Sequence, residues 1–199
     1  MHMVETAERQ LPLEELDKYQ TLSDKVAYMH SVVRDRFASV DRISIAKYDA
    51  SSGTLRTYIA STDGDNPLAM HEAKLSDVPS LLSLVTTRKT RVINNLNDLA
   101  GNTSIHSKKI LSKGFRSSYT VPLFYENRFI GMLFFNSYEL NAFDSSNLTY
   151  LDLLAQLVQL ALIRPCVFLG IADDRLFLRF GLFQQRGQHL ALLLHRLQS

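Results

Sequence analysis

Phe115-Arg-Ser-Ser-Tyr-Thr-Val-Pro-Leu-Phe124 and Arg128-Phe-Ile-Gly-Met-Leu-Phe-Phe-Asn136 are two apolar, alternating runs separated only by Tyr125-Glu126-Asn127. Strand-length runs rich in β-branched and aromatic residues, joined by so short a polar connection, predict an antiparallel hairpin. Working backwards, Gly114 follows Lys113 at the end of a predicted short helix over Ser104–Ser112, where a glycine can cap the last turn. Working forwards, Asp144-Ser145-Ser146 supplies N-capping side chains for a helix over about Asn147–Ile163. That helix is apolar at Leu148, Leu151, Leu153, Leu154, Leu157, Val158, Leu160 and Leu162, a stripe wider than one sheet can cover.

Further upstream, Ile43-Ser-Ile-Ala-Lys-Tyr48 alternates, Asp49-Ala-Ser-Ser-Gly53 reads as a turn, and Thr54–Ala60 resumes strand character. Asp63 to Pro67 reads as loop. A helix is expected from Ser76 or Asp77, with Pro79 in its first turn and Leu81, Leu82, Leu84 and Val85 along it. The short strand Arg91–Asn94 then leads into an asparagine-rich stretch. Ahead of all this, Leu13, Leu16, Tyr19, Leu22, Val26, Met29, Val33 and Phe37 fall at three- and four-residue steps and predict one long amphipathic helix. Hairpins at both ends with helices between them imply an α+β domain around a mainly antiparallel sheet.

Composition narrows the function classes. The chain has 199 residues, of which 46% are hydrophobic, enough for one packed domain with an appendage. Net charge is +2, and the basic groups Arg88-Lys89-Thr90-Arg91 and Lys108-Lys109 are too short for a nucleic-acid footprint. The polar, acidic start Met1–Glu8 is unlike a secretory signal, and no 18-residue apolar run predicts a membrane span. One cysteine, Cys166, leaves no internal disulfide and suits a reducing compartment. The expectation is a cytoplasmic protein with neither nucleic-acid nor membrane partners.

The ordered set Gly114, Arg116-Ser117, Val121-Pro122-Leu123 and Ile130-Gly131-Met132-Leu133 resembles a GAF domain. Asp41-Arg-Ile-Ser-Ile-Ala-Lys-Tyr-Asp49, with Gly53 and Leu55, resembles that family's first hairpin, and Phe143 its entry to the last helix. The resemblance implies a central antiparallel sheet, terminal helices on one face and a small-molecule pocket on the other. It also implies a homodimer formed through the terminal helices, which pass a signal to an output domain or partner. The division expected is a dimerisation and signalling helix over 1–39, a GAF domain over 40–163 and a tail over 164–199. Tyr150–Val158 is similar to the last GAF helix in proteins that carry an HD-GYP cyclic-di-GMP phosphodiesterase. The tail holds no such core: Asp173-Asp174 lacks a histidine partner. From Ile163 onward there is no Lys or Glu but nine Leu and five Arg, a break in composition. Its last stretch, Gln188–Leu197, reads as a packed or partner-binding helix.

The chemistry expected is recognition rather than catalysis. A covalently attached bilin needs a nucleophilic thiol and free-methionine-sulfoxide reduction needs redox thiols, but residues 40–163 contain no cysteine. No cofactor is expected. His71, His106 and Asp98 match no metal-ligand spacing. The family's cyclic-nucleotide signature is incomplete: Asn136 and Phe143 are present, but Ser137, Asn147 and Leu148 stand where a lysine and an acidic pair belong. Polar residues where apolar ones would suffice nominate the ligand contacts. These are Ser117 and Tyr119, sharing one face of a central strand; the resemblance implies a pocket roofed by the region of Asn94, Asn95 and His106, with Tyr58 as wall. A ligand-free dimerisation scaffold, whose polar groups satisfy one another, is the alternative; a degenerate sulfoxide reductase is a third.

Overall fold

A computed structural model describes residues 13–16, 18–62, 72–99 and 110–163. The segments 104–109 and 164–199, with His71, His106 and Cys166, lie outside these. Six strands form one antiparallel sheet: β1 (Arg42–Asp49), β2 (Thr54–Thr62), β3 (Glu72–Lys74), β4 (Arg91–Ile93), β5 (Ser117–Tyr125) and β6 (Arg128–Ser137). Their spatial order is β3-β2-β1-β6-β5-β4, so the two hairpins meet at the β1–β6 seam. The α+β class and the GAF-like antiparallel sheet are as expected.

Local chemistry accounts for the joints. The β5–β6 turn places Glu126 at φ 46° and Asn127 at φ 65°. Two successive left-handed residues make the turn whose twist matches a tight hairpin. Gly114, at φ 86°, closes the turn over residues 110–112, as its sequence position predicts. Gly131 is required by contact: a Cβ there would lie 2.3 Å from the carbonyl oxygen of Ala46 across the seam.

The N-terminal segment differs from the expected single helix. It comprises a turn, α1 (Leu13–Leu16), and a separate helix, α2 (Leu22–Arg36). The restart has a local cause. Thr21 caps α2, its Oγ1 accepting the Asp24 N–H at 3.1 Å while the hydroxyl donates to Asp24 Oδ2 at 2.6 Å. The middle helix α3 (Pro79–Thr87) begins on Pro79, and the last, α4 (Ser145–Ile163), is capped by Asp144, whose Oδ1 accepts the Ser146 N–H at 2.8 Å.

Helices α2 and α4 cover one face of the sheet. Val26, Met29 and Val33 of α2 and Leu151, Leu154 and Val158 of α4 pack on Ile43, Ile45, Tyr119, Val121, Leu133 and Phe135. On the opposite face Ala46, Leu55 and Met132 meet Leu75, Val78, Leu81 and Leu84, so α3 covers that end. Helix α4 is long and apolar enough by composition to cross a membrane. Its Leu151, Leu154, Ala155 and Val158, however, are committed to the sheet.

Candidate ligand site

In an antiparallel sheet, residues paired across strands present their side chains on the same face. One such rung runs Thr62–Arg42–Asn136–Ser118–Ile93 across β2, β1, β6, β5 and β4. The next rung on that face runs Ala60–Ser44–Phe134–Thr120–Arg91. Both lie on the face turned away from α2 and α4. They carry an unusual load of buried polarity: Arg42 is 3% exposed, Asn136 1%, Thr120 1% and Ser118 4%.

That polarity is only half satisfied. Arg42 Nη1 donates to Ser44 Oγ at 2.5 Å and, at a long 3.4 Å, to Asn136 Oδ1. Arg42 Nε, Asn136 Nδ2, Thr62 Oγ1 and Arg91 Nε have no hydrogen-bond partner, and these are the orphaned buried side-chain atoms among the described residues. All four belong to the two rungs. Burial pushes the Arg42 guanidinium down to about 10, and Tyr138 offsets this slightly. Arg91 is lowered by burial in the same direction, although its Nη1 reaches the Ser80 carbonyl of α3 at 3.1 Å. A buried guanidinium with an unserved N–H and an amide whose NH₂ finds no acceptor each cost free energy, and native structures rarely leave such groups unsatisfied. Beyond Phe134 on the same face lies an apolar cavity of about 30 Å³ between Ala46, Leu55, Thr57, Leu75, Val78 and Leu81.

The residues nominated from the sequence fall elsewhere. Ser117 and Tyr119 do share a face, but it is the one beneath the helices. There Ser117 Oγ donates to the Glu139 carbonyl at 2.7 Å and the Tyr119 hydroxyl donates to Asp152 Oδ1 of α4. Burial, reinforced by that carboxylate, holds the Tyr119 phenol well above its usual pKa. Asn95 organises its own turn, accepting the Asn97 N–H at 3.1 Å and donating to Asp98 at 3.2 Å. Asn94 is exposed, and its carbonyl accepts the Asn141 N–H at 3.0 Å. Tyr58 stands where the β1–β2 register shifts, 38% exposed, with Lys47 Nζ 4.7 Å from its ring centroid. His106 is outside the described residues. The structure brings together Ser117 and Tyr119 alone of the six. The rung residues are not among the six, although Arg42 and Ser44 alternate with Ile43 and Ile45 along β1. Among the described residues no cluster of His, Cys, Asp or Glu could hold a metal ion.

A sheet with terminal helices on one face and a polar, half-satisfied opposite face is matched by the family model for the GAF domain over residues 20–162. The chain belongs to the GAF domain family. The match takes in α2 as well as the sheet. This GAF protein also resembles solved structures, all below 25% identity. The phycocyanobilin-bound GAF domain of a cyanobacterial phytochrome aligns with TM-score 0.57 and 18% identity, over 77% of this chain and 94% of that one. The GAF domain of Acinetobacter phosphoenolpyruvate-protein phosphotransferase gives TM-score 0.55 and 19% identity, over 74% and 85%. The free methionine-R-sulfoxide reductase of Neisseria meningitidis, in complex with its substrate, gives 0.54 and 22%, over 74% and 83%. Against the chromophore-binding domain of an R. palustris bacteriophytochrome (TM-score 0.58, 18% identity) the chain covers 57% of that length. No functionally curated protein matches the chain.

Proposed function

We propose that this GAF domain is a regulatory, non-enzymatic sensor that binds a small polar molecule on the sheet face opposite α2 and α4. The observation that carries this reading is the gathering of Arg42 Nε, Asn136 Nδ2, Thr62 Oγ1 and Arg91 Nε, all buried and unpartnered, on that one face. A bound molecule is the simplest partner for the Arg42, Asn136 and Thr62 atoms, which share one rung. Similar domains solved with phycocyanobilin or with a substrate support a ligand for the fold. Covalent bilin attachment and thiol redox chemistry are disfavoured for this chain, since residues 20–162 contain no cysteine.

The signal leaves through the terminal helices. The two faces share β5, where Ser118 and Thr120 face the site and Tyr119, between them, is tied to Asp152 of α4. A shift of β5 on ligand binding is thereby felt by α4 and passed to an output domain or partner, for which an HD-GYP phosphodiesterase is the sequence-based candidate. Leu153 and Leu160, each 51% exposed, lie seven residues apart along α4 and form the contact of a cytoplasmic homodimer. The residues beyond 163 form a separate tail in this reading.

Native mass spectrometry of protein purified without denaturation tests both halves. A dimer carrying a small adduct is the expected result. An empty dimer, with no metabolite in a broad panel raising the melting temperature, turns the reading to a ligand-free scaffold. A monomer removes the homodimer.

A further inference from the structure

The geometry points to a small organic carboxylate as the ligand, its carboxyl group held by Arg42, Asn136 and Thr62. This rests on the sensor reading and narrows it to one chemical class. Arg42 and Asn136 are paired on one rung, and their orphaned groups, Nε and Nδ2, are both N–H donors; Thr62 adds a hydroxyl on the other side of Arg42. Clustered donors with no acceptor left to serve them call for an acceptor-only group. Among the described residues neither aspartate nor glutamate pairs with Arg42, so the missing acceptor is also the missing counter-charge. A planar carboxylate suits a guanidinium and an adjacent amide, each supplying N–H donors to one oxygen or the other. Arg91 is three strands away from β1, a separation of about 14 Å between backbones, so the rung offers one positive charge rather than the several that favour a phosphate.

The test uses the full chain with butyrate and hexanoate as probes, and hexanamide and inorganic phosphate as controls. Each is followed by melting temperature and by the arginine Nε–Hε resonances in ¹H–¹⁵N spectra. The Arg42 resonance is assigned by its absence from Arg42→Lys, which keeps the charge but loses the fork. The expected result is that hexanoate raises the melting temperature and shifts the Arg42 Nε–Hε resonance. Hexanamide and phosphate should do neither, and Arg42→Lys and Asn136→Leu should each weaken hexanoate about tenfold or more. Should Arg42→Lys not fold, Asn136→Leu and the wild-type resonance carry the test. Equal binding of hexanamide overturns the carboxylate but leaves the sensor reading in place, as does tighter binding of phosphate. Silence from every probe, with a neutral adduct retained in native mass spectra, also overturns the carboxylate alone. The same silence from an empty protein overturns both.

Discussion

The two faces of the sheet treat buried polar groups in opposite ways. Beneath α2 and α4, Lys25 Nζ donates to the Leu16 carbonyl at 2.8 Å, and His30 bridges Ser61 and the Val40 carbonyl at 2.8 and 2.9 Å. Ser117, Tyr119, Ser137 and Asn147 likewise each have a partner within the domain. Across the same strands, only one side chain's thickness away, four buried polar atoms have none. The four atoms are themselves buried, so water access does not explain the contrast. The helix face is built for stability, with His30 and Tyr119 each tying a helix to the sheet. In the proposed reading the other face sacrifices stability to keep donors ready, as recognition sites commonly do.

Substitutions can break or sharpen that contrast. The largest effect is expected from Leu154→Ala, which opens a cavity where α4 meets the sheet at a fully buried position. It should cost about 3 kcal/mol in chemical denaturation. A loss below about 1 kcal/mol would mean that the helix face is not the structural one. Tyr119→Phe should cost about 1–2 kcal/mol, because it strips the Asp152 carboxylate of its partner. Arg42→Met is the sharpest test, since the expected sign is reversed. Replacing a buried cation that has no acidic partner among the described residues by an apolar chain of similar length should stabilise the ligand-free protein by about 1 kcal/mol. If it instead destabilises as much as Tyr119→Phe, Arg42 is a structural residue and the two faces are alike.

The smallest effect lies outside both faces and serves as a control. Hydrogen bonds from Ser51 and Ser52 hold the exposed Asp49 carboxyl down to about 2. A depressed carboxylate stabilises the native state fully above its unfolded value and loses that contribution as pH falls through the native one. Asp49→Asn should therefore slightly flatten the stability profile between about pH 4 and pH 2, and leave the neutral-pH stability of both faces in the same order.

The sequence was most legible where the causes are local. The β5–β6 hairpin, the Gly114 cap, Pro79 at the start of α3 and the Asp144 cap of α4 are each set by a few neighbouring residues, and all are found. The break before α2 was equally local, written in Thr21 and Asp24, but the apolar spacing ran straight through it and masked it. Strand β3 has only three residues, Glu72–Lys74, too few for alternation to register.

What the sequence determined alone, then, was the order of elements, the family, and the parity along each strand: Ser117 with Tyr119, Arg42 with Ser44. Only the tertiary structure decided which parity lies under the helices. Alternation separates two faces but does not label them. Arg42 and Ser44 alternate with Ile43 and Ile45, but apolar residues pack on both faces, under α2 and α4 and at the α3 end of the other, so the alternation does not say which face the helices take. The deciding relation is also remote. Arg42 meets Asn136 across 94 residues of chain, and whether either has a partner depends on the β1–β6 register and on the elements that cover it.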